Sequence, residues 1–436
     1  MQLPTQTLLR AAVVLSILLP GARSQAYESP LLVFGAGHPY TPETIYRVDL
    51  AGNPTALHSF ALSRLPNSFT FDVDNTTLVM HDTNPDAVVR FDLGLPGVVG
   101  TLHRGAPLGE VHCVRPFGTG DWLVADSHFT AANGFQTSVR LVRADGSGVA
   151  TLFSTSAWDA QIRAVAEDLA TGEILAGLLT IGTGTAPSLI RIAPATGTFT
   201  VLDPLPRSIT ALVQDHRDGT VLYGAWDGGI FRRAPNGAID TLIAASHPSG
   251  ITASALAFDR AEGNGVLVAG GSGRIARLAF APGGAATVVA VHAPGTALGL
   301  PAVKDLAFVG ERNVASHRTG PLRWQFELDF PGEAGTSYAL AISLTGFTPG
   351  IAVGNRTIPL VPDAAFSASL DGSLAPILQD NVGVLDAGGR ATVTLDLSPF
   401  GAVDPNARLW VAAATIDGGA PYGLRTISKP SILVLR

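Results

Sequence analysis

The chain has 436 residues, of which 46% are apolar and 14% are charged, and its formal net charge is -7. This apolar content is sufficient for large cores, and the spread-out negative charge gives no reason to expect nucleic acid or an anionic membrane as a partner. The 49 glycines and 30 prolines suit a fold with many tight turns. The single cysteine, Cys113, excludes an intrachain disulfide and is expected to be an inert, buried thiol.

The first 26 residues have the pattern of a secretory signal peptide. One basic residue, Arg10, precedes an apolar run from Ala11 to Leu19, and small residues follow at Ala22 and Ser24. The apolar run is too short to span a bilayer. We therefore expect residues 1–26 to be removed and the mature protein to be secreted, into the periplasm or the extracellular space.

One stretch, from Ile209 to Ile243, defines the repeating unit of the chain. Its sequence, ITALVQDHRDGTVLYGAWDGGIFRRAPNGAIDTLI, reads as four short apolar or alternating segments separated by turn residues. Turns are expected at Arg217 to Gly219, at Trp226 to Gly229 and at Pro235 to Gly237. The stretch therefore predicts a four-stranded antiparallel meander.

The plan of this unit recurs along the chain at intervals of about 40 to 50 residues, which is typical of propeller blades. The residues that end each first strand, which we call the anchors, are Asp72, Phe117, Asp168, Asp215, Asp259 and Val309. Six positions after four of the anchors lie apolar second-strand residues, Leu78, Leu123, Ile174 and Val221. The third strands carry an arginine, which we expect to be structural: Arg47, Arg90, Arg140, Arg191, Arg232 and Arg277.

Two copies of the repeat are incomplete in complementary ways. The first begins at Leu31 with a second-strand-like segment and has no first strand, whereas the last has a first strand from Val303 to Phe308 and no third strand. Joined, they make one complete blade. We therefore predict an all-β, six-bladed propeller over residues 28–317, closed by pairing of N- and C-terminal strands, which removes exposed sheet edges.

The pattern changes from Arg318 onwards. Alternation from Leu322 to Phe330, from Tyr338 to Leu344 and from Ala391 to Leu397 is typical of strands with one buried and one solvated face. Further strands are expected at residues 409–413 and 431–435. Residues 318–436 are therefore predicted to form an Ig-like β-sandwich.

Two resemblances follow from these motifs. The blade plan, with its terminal Asp, the following Gly and apolar pair, and the later apolar-apolar-Arg, resembles NHL-like and gluconolactonase-like six-bladed propellers. The segments 338–346, 349–351, 358–360 and 383–394 are similar to a terminal module on exported proteins of planctomycete-like bacteria, which has no established chemistry. Lactonase-like propellers bind a metal through carboxylates and amides at the channel face, so the first resemblance implies that a metal site is possible.

Ligands of propellers usually bind where the loops before the first strands and the loops after the second strands meet around the channel. Loops before first strands are expected to contribute Asn67, Glu110, His112, Trp158, Asp159, Gln161 and Ser208. Loops after second strands are expected to contribute His38, Tyr40, His81, Asp82, Asn84, Asp126, His128, Trp226 and Asp227. We expect Trp158 and Trp226 to be buried against neighbouring blades rather than to stack on a sugar ring.

Two hypotheses account for these polar residues. In the favoured one, the protein is an exported, non-enzymatic module that binds a protein or a polysaccharide and needs no cofactor. In the alternative, it is a lactonase-like hydrolase or lyase in which His81, Asp82, Glu110, His112, Asp126 and His128 converge as metal ligands or as general acid and base. Asp82, Glu110 and Asp126 would then hold a divalent cation such as Ca²⁺ or Zn²⁺. No nucleophile elbow and no HExxH motif is present.

Overall fold

The structure is a computed structural model, and it describes twenty-two segments of the chain. They are residues 31–36, 44–48, 54–60, 68–72, 77–83, 86–93, 97–118, 120–130, 134–181, 186–204, 207–215, 217–245, 247, 253–259, 266–271, 274–279, 284–292, 302–308, 313–330, 332–353, 356–404 and 407–435. The predicted signal peptide lies outside them. No helix in these segments is long and apolar enough to cross a membrane.

Six four-stranded antiparallel sheets form the first part of the chain. The first three contain β1 (Leu31–Ala36), β2 (Thr44–Val48), β3 (Pro54–Ser59); β4 (Phe69–Phe71), β5 (Thr77–Thr83), β6 (Asp86–Asp92), β7 (Gly97–Arg104); and β8 (Glu110–Phe117), β9 (Asp121–Thr130), β10 (Gly134–Val142), β11 (Val149–Thr155). The next three contain β12 (Ala160–Asp168), β13 (Glu173–Thr180), β14 (Leu189–Ala193), β15 (Thr198–Asp203); β16 (Ile209–Gln214), β17 (Val221–Ala225), β18 (Ile230–Arg233), β19 (Ile239–Ile243); and β20 (Ala255–Asp259), β21 (Val266–Gly271), β22 (Arg274–Ala279), β23 (Thr287–His292). In five of these sheets neighbouring strands are also neighbours in the sequence, which is the meander that the repeat predicts, and the first sheet takes its fourth strand from later in the chain.

The ring is closed by a strand from the far end of the repeat region. Strand β24 (Ala302–Phe308) pairs antiparallel with β1, and this places Leu306 opposite Val33 in a sheet of order β24-β1-β2-β3. The innermost strands β24, β4, β8, β12, β16 and β20 contact one another in that order around the channel. The predicted six-bladed propeller, closed by its terminal strands, is thereby confirmed.

The repeated residues have two structural roles. The second-strand residues are buried between sheets, with Leu78, Leu123 and Ile174 at 0% exposure. In two blades the anchor aspartate pairs with the third-strand arginine, Asp72 with Arg90 at 2.8 Å and Asp168 with Arg191 at 2.6 Å. These pairs join the end of an innermost strand to the third strand of the same sheet.

The third blade shows why this pairing matters. It has Phe117 where an aspartate stands elsewhere, and its third-strand Arg140 pairs with Asp126 of β9 instead, with Nε 2.9 Å from Oδ2. Both side chains are buried, so the arginine requires a carboxylate from another position of its own blade. The expectation that the repeated arginines are structural fits these contacts.

Glycines in two second strands allow neighbouring blades to approach closely. A Cβ on Gly177 would overlap the side chain of Ile209, and a Cβ on Gly224 would overlap the carbonyl of Ala253. Ile209 and Ala253 both lie six residues before their anchors, so the same contact occurs between two successive pairs of blades. Each glycine therefore marks a place where the next innermost strand packs directly on the backbone.

Two further sheets, of four and five strands, follow the propeller and share one core, as in a β-sandwich. One contains β25 (Val314–Gly320), β26 (Arg323–Asp329), β30 (Leu378–Gln379) and β32 (Arg390–Asp396). The other contains β27 (Ser337–Ser343), β31 (Val382–Val384), β33 (Arg408–Ile416), β34 (Leu424–Ile427) and β35 (Ser431–Val434). Phe326 and Val393 from the first sheet pack with Leu340 and Val411 from the second. The predicted division between residues 317 and 318 lies inside β25.

A small hairpin and one helix complete this region. The hairpin is β28 (Ile351–Val353) with β29 (Arg356–Ile358), and the helix is α1 (Ala364–Asp371). Asp363 caps the helix by accepting a hydrogen bond from the Phe366 amide, and Gly372 ends it in a left-handed conformation. Only strands are predicted here from the sequence, because eight residues with little amphipathic pattern carry a weak helical signal.

The sandwich covers the end of the propeller at which the innermost strands finish. Leu169, which follows β12, packs with Phe347 and Trp410 of the sandwich, and the Trp410 indole donates a 2.8 Å hydrogen bond to the Leu169 carbonyl. A cavity of about 100 Å³ in the channel is lined by innermost-strand residues, including Arg115 and Gln214, and by sandwich residues 429–431. We call this the closed end. The end at which the innermost strands begin is the open end.

Candidate functional site

Four of the six innermost strands have a β-bulge near the open end. The register shifts by one residue at His112 in β8, at Arg163 in β12, at Thr210 in β16 and at Lys304 in β24. A bulge leaves its extra residue outside the ladder and re-aims its side chain, and such bulges are common beside binding sites. We call His112, Arg163, Thr210 and Lys304 the bulge ring.

The bulge ring occupies one position of the repeat. Each of its members lies five residues before an anchor, and the same position carries a polar residue in all six blades: Asn67, His112, Arg163, Thr210, Ser254 and Lys304. Asn67 lies outside the described residues. A polar residue at this position in every copy is the sequence signal for this site. Arg163, Thr210, Ser254 and Lys304 were not among the predicted site residues, because candidates were expected in loops.

Two hydroxyl members of this position connect successive blades in the same way. Thr210 Oγ1 donates to the carbonyl of Ala253 at 2.7 Å, and Ser254 Oγ donates to the carbonyl of Val303 at 2.7 Å. Each acceptor is the residue before the equivalent position of the next blade. In these two blades the residue at this position therefore makes a hydrogen bond that connects the blade to the next one.

His112 and Arg163 interact differently. His112 Nε2 lies 2.7 Å from Ser127 Oγ, and Arg163 Nη1 donates to His112 Nδ1 at 3.1 Å. Burial, then the Arg163 charge and His81, lower the pKa of His112 from 6.5 to about 3. His112 is therefore neutral at physiological pH, with Nδ1 as an acceptor and Nε2 as the donor to Ser127. Glu110, whose side chain is mostly exposed, has Oε1 3.7 Å from the same Nδ1.

Two buried polar side chains lie beside this pair. His81 Nε2 donates to Asp86 Oδ1 at 3.3 Å, and burial lowers the pKa of His81. His81 Nδ1, Gln161 Oε1 and Arg163 Nε have no hydrogen-bond partner within the described part of the chain. The sequence candidates His81, Glu110, His112 and Gln161 are therefore placed on the same side of the channel as Arg163.

Other predicted site residues form a separate structural group. Asp126 is fully buried, pairs with Arg140 and accepts a 2.7 Å hydrogen bond from the Gly109 amide. Burial raises the pKa of Asp126. His128 Nε2 donates to the Pro107 carbonyl at 3.2 Å and lies 3.8 Å from Asp126 Oδ2. Asp126 is thus engaged in holding its own blade.

The two tryptophans differ. Trp158 is half-buried against Phe153 and Phe199, at ring-centroid distances of 6.0 and 4.9 Å. Trp226 is 71% exposed, so its predicted burial is wrong. It begins a tight turn in which Asp227 Oδ1 accepts from the Gly229 amide and Gly228 has φ 98°. The turn fixes the backbone and directs the indole into solvent.

Several candidates expected in loops lie in strands. Glu110, His112 and Gln161 belong to β8 and β12, while His81 and Asp82 belong to β5 and Asp126 and His128 to β9. Polar side chains do not interrupt the backbone hydrogen bonds between strands, which continue to the open end of each sheet. Residues that were expected in loops therefore belong to strands. Asp159 and Asp227 do lie in turns. His38, Tyr40, Asn67 and Asn84 lie outside the described residues.

The metal hypothesis gains no support from the part of the chain that the structure describes. No group of three or more His, Cys, Asp or Glu side chains in it could hold a metal ion. Of the three alternative ligands, Asp126 is engaged with Arg140, and Glu110 lies beside a neutral histidine whose Nδ1 already accepts from Arg163. These residues do not fit a divalent cation, and we derive no reaction from one.

No protein-family model and no curated protein matches this sequence. Among solved structures, the chain is similar to a chain in a crystal structure of a nidogen–laminin complex, with 13% identity and a TM-score of 0.48, over 64% of this chain and 98% of that chain. It is also similar to a structural genomics protein of unknown function from Bacteroides thetaiotaomicron, with 13% identity and a TM-score of 0.41, over 68% of this chain and 87% of that chain. At these values neither likeness bears on function, and the propeller assignment rests on the strand order.

Proposed function

We propose that this chain is an exported, non-enzymatic binding protein whose open end binds a protein ligand. The observation that carries the proposal is the contrast between the two ends of the channel. The sandwich covers one end, whereas the other presents exposed apolar side chains around polar residues. Exposed apolar groups of this kind mark interaction surfaces.

Three exposed apolar side chains belong to successive blades at the open end. Phe129 is 67% exposed, Ile181 43% and Trp226 71%. Phe129 lies near the end of second strand β9, whereas Ile181 and Trp226 directly follow the second strands of their blades. Aromatic residues are enriched among the residues that contribute most to protein–protein affinity. The aliphatic Ile181 favours a protein ligand, while a polysaccharide, which would stack on Trp226, is the alternative.

Export and family likeness belong to the same proposal. The apolar segment of residues 11–19 and the small residues after it support cleavage of a signal peptide and a secreted location. The blade plan supports a relationship to NHL-like and gluconolactonase-like propellers, and segments 338–346 and 383–394 support one to the terminal module of exported planctomycete-like proteins. Neither relationship assigns an activity.

The proposal is tested by measuring binding of the mature protein to purified extracellular proteins and polysaccharides by biolayer interferometry. For a protein that binds, Trp226→Ala should weaken affinity at least about tenfold, as for a central aromatic contact. Phe400→Ala is the matched control, because Phe400 is 62% exposed on the sandwich. A ligand that is sensitive to Phe400→Ala and indifferent to Trp226→Ala would place binding on the sandwich and contradict the proposal. Binding of polysaccharides alone would contradict the protein ligand.

A further inference from the structure

The five-stranded sheet of the sandwich ends in an exposed, apolar strand. Strand β31 (Val382–Val384) is the end strand of this sheet, and within the described residues it pairs with β27 alone. Val382 is 58% exposed and Val384 is 63% exposed. Sheets commonly protect such end strands with lysine, proline or a covering segment, and β31 contains neither lysine nor proline. We call the side of β31 that faces away from β27 the β31 edge.

The pairing of β31 with β27 fixes which backbone groups of β31 point outwards. The Leu340 amide of β27 donates to the Asn381 carbonyl at 2.7 Å, so the backbone groups of Asn381 face β27. Hydrogen-bonded residues alternate along an antiparallel strand, and the backbone groups of Gly383 therefore face β27 as well. Those of Val382 and Val384 face the β31 edge. They present N–H and C=O groups to an incoming strand.

The two valine side chains lie on the outer face of the sheet, away from the core of the sandwich. Val382 is opposite Ala339 of β27, and Ala339 is opposite Ala414 of β33. Ala414 packs with Ile427 in an apolar cluster separate from the core between the two sheets. Since side chains alternate between faces, Val384 lies on the same face as Val382. Apolar side chains two positions apart on a docked strand would extend this apolar row.

The charges that flank β31 are negative. Asp380 precedes the strand and Asp386 follows it, and both are exposed. Asp380 has no ion pair within the described residues. Asp386 lies near Arg390, whose Nε is 3.5 Å from Asp329 Oδ2, so this one cation faces two carboxylates. A second copy paired antiparallel at this edge would oppose Asp380 with Asp386, and like charges directly opposite are destabilising. The flanks therefore favour a basic partner.

We propose that the β31 edge binds an extended, basic segment of a partner protein, which adds a strand to the sheet. The segment pairs with the outward backbone groups of Val382 and Val384 and places two apolar side chains beside them. It carries a lysine or arginine at each end, opposite Asp380 and Asp386. These two basic residues lie about six positions apart, because both chains are extended. The site is separate from the open end and does not depend on the function proposed for it.

The probe is a fluorescein-labelled peptide, Lys-Thr-Val-Thr-Val-Thr-Lys, titrated with the full mature protein at constant ionic strength and followed by fluorescence anisotropy. In a second peptide, glutamate replaces both lysines. In a third, the amide nitrogens of both valines are methylated, which removes the hydrogen bonds that strand addition requires while the charge is kept.

The protein variants change the edge and its flank separately. Val384→Lys adds a like charge at an exposed side chain. Asp380→Asn removes a negative charge, and asparagine tolerates the left-handed backbone of this position, where φ is 59°. Val201→Lys is the matched control, because Val201 is 42% exposed on β15, which is also an end strand of its sheet. Trp226→Ala tests independence from the open end.

We expect the basic peptide to bind with a dissociation constant of about 1 mM or lower, and the other two peptides at least about tenfold more weakly. Val384→Lys should weaken binding of the basic peptide at least about tenfold, and Asp380→Asn about two- to fivefold. Val201→Lys and Trp226→Ala should bind it as the wild type does.

Absence of binding overturns the proposal, and so does an equal loss in Val201→Lys and Val384→Lys. Equal binding of the acidic peptide overturns the basic character of the segment, and equal binding of the methylated peptide overturns strand addition. A dimer in sedimentation velocity that Val384→Lys abolishes would assign the β31 edge to a second copy and overturn the partner segment. Circular dichroism identifies any variant that fails to fold, and the comparison of peptides on the wild type decides without it.

Discussion

The two ends of the propeller channel are built from the same six strands and differ in what covers them. At the closed end, Leu169 enters the apolar cluster of the sandwich, and the Trp410 indole donates to its carbonyl. At the open end, Phe129, Ile181 and Trp226 are 67%, 43% and 71% exposed. Buried side-chain atoms without a hydrogen-bond partner within the described residues occur towards both ends, so they do not distinguish the two. Packed contacts stabilise a fold, whereas exposed apolar groups mark interaction surfaces, and we therefore expect the closed end to govern stability and propose binding at the open end.

The largest effect on stability is expected from Asp305, halfway along the channel. It accepts hydrogen bonds from Ser68 and the Phe69 amide, and its Oδ1 lies 2.7 Å from Nη2 of Arg115, so that it joins β24, β4 and β8. Asp305→Ala removes the buried carboxylate that holds half-buried Arg115, Ser68 and the Phe69 amide, and should lower the free energy of unfolding by about 3–5 kcal/mol. Urea unfolding followed by fluorescence measures it.

The control for this change is Asp240→Ala. Asp240 is 54% exposed and pairs with Arg232, so Asp240→Ala should lower the free energy of unfolding by less than about 1 kcal/mol. Similar losses for the two variants would show that Asp305 does not help to close the ring.

The next effect concerns the contact between propeller and sandwich. Leu169 packs among sandwich side chains and is only 7% exposed. Leu169→Ala should lower the free energy of unfolding by about 2–3 kcal/mol, because it leaves a cavity behind. Thermal unfolding and susceptibility to limited proteolysis should both report the change. Val201→Ala, at a 42% exposed position on an outer strand, should leave both unchanged. If Leu169→Ala behaves like Val201→Ala, the sandwich does not cover this end in solution.

A pH effect is expected at the open end. The pKa of His112 is about 3 in the folded protein and 6.5 for the ordinary side chain, so the unfolded chain binds a proton between these values that the folded chain does not. Stability should therefore fall as the pH is lowered from 6.5 towards 3, by about 2 kcal/mol at about pH 5 from this residue. His112→Gln should flatten this dependence in urea titrations at several pH values. An unchanged slope in His112→Gln would show that His112 is solvated.

The smallest effect on stability is expected for Trp226. Because its indole is 71% exposed, Trp226→Ala should change the free energy of unfolding by less than about 0.5 kcal/mol. The same variant should lose ligand affinity, as described above. A destabilisation comparable to that of Leu169→Ala would mean that Trp226 packs within the propeller.

The sequence predicts the fold far better than the site. The anchors and the third-strand arginines recur at a regular period, which predicts the blades. The incomplete copies at Leu31 and Val303 lack complementary strands, and this predicts that they pair to close the ring. The residues of the site do not repeat as one residue type from blade to blade, because His112, Arg163 and Lys304 differ chemically. Only their common position five residues before the anchors unites them. The exposure of Trp226 depends on the turn conformation at Gly228, which the sequence does not determine.

The difference between the two ends is tested most directly by the Nε–Hε signals of individual arginines in NMR spectra during titration with a protein ligand that the binding measurements identify. Arg163, at the open end, should shift progressively, and Arg115, which is bound to Asp305 beside the cavity at the closed end, should not. Assignment uses Arg163→Met and Arg115→Met. A shift of Arg115 with Arg163 unchanged would mean that the channel is reached past the sandwich, and would contradict the assignment of binding to the open end.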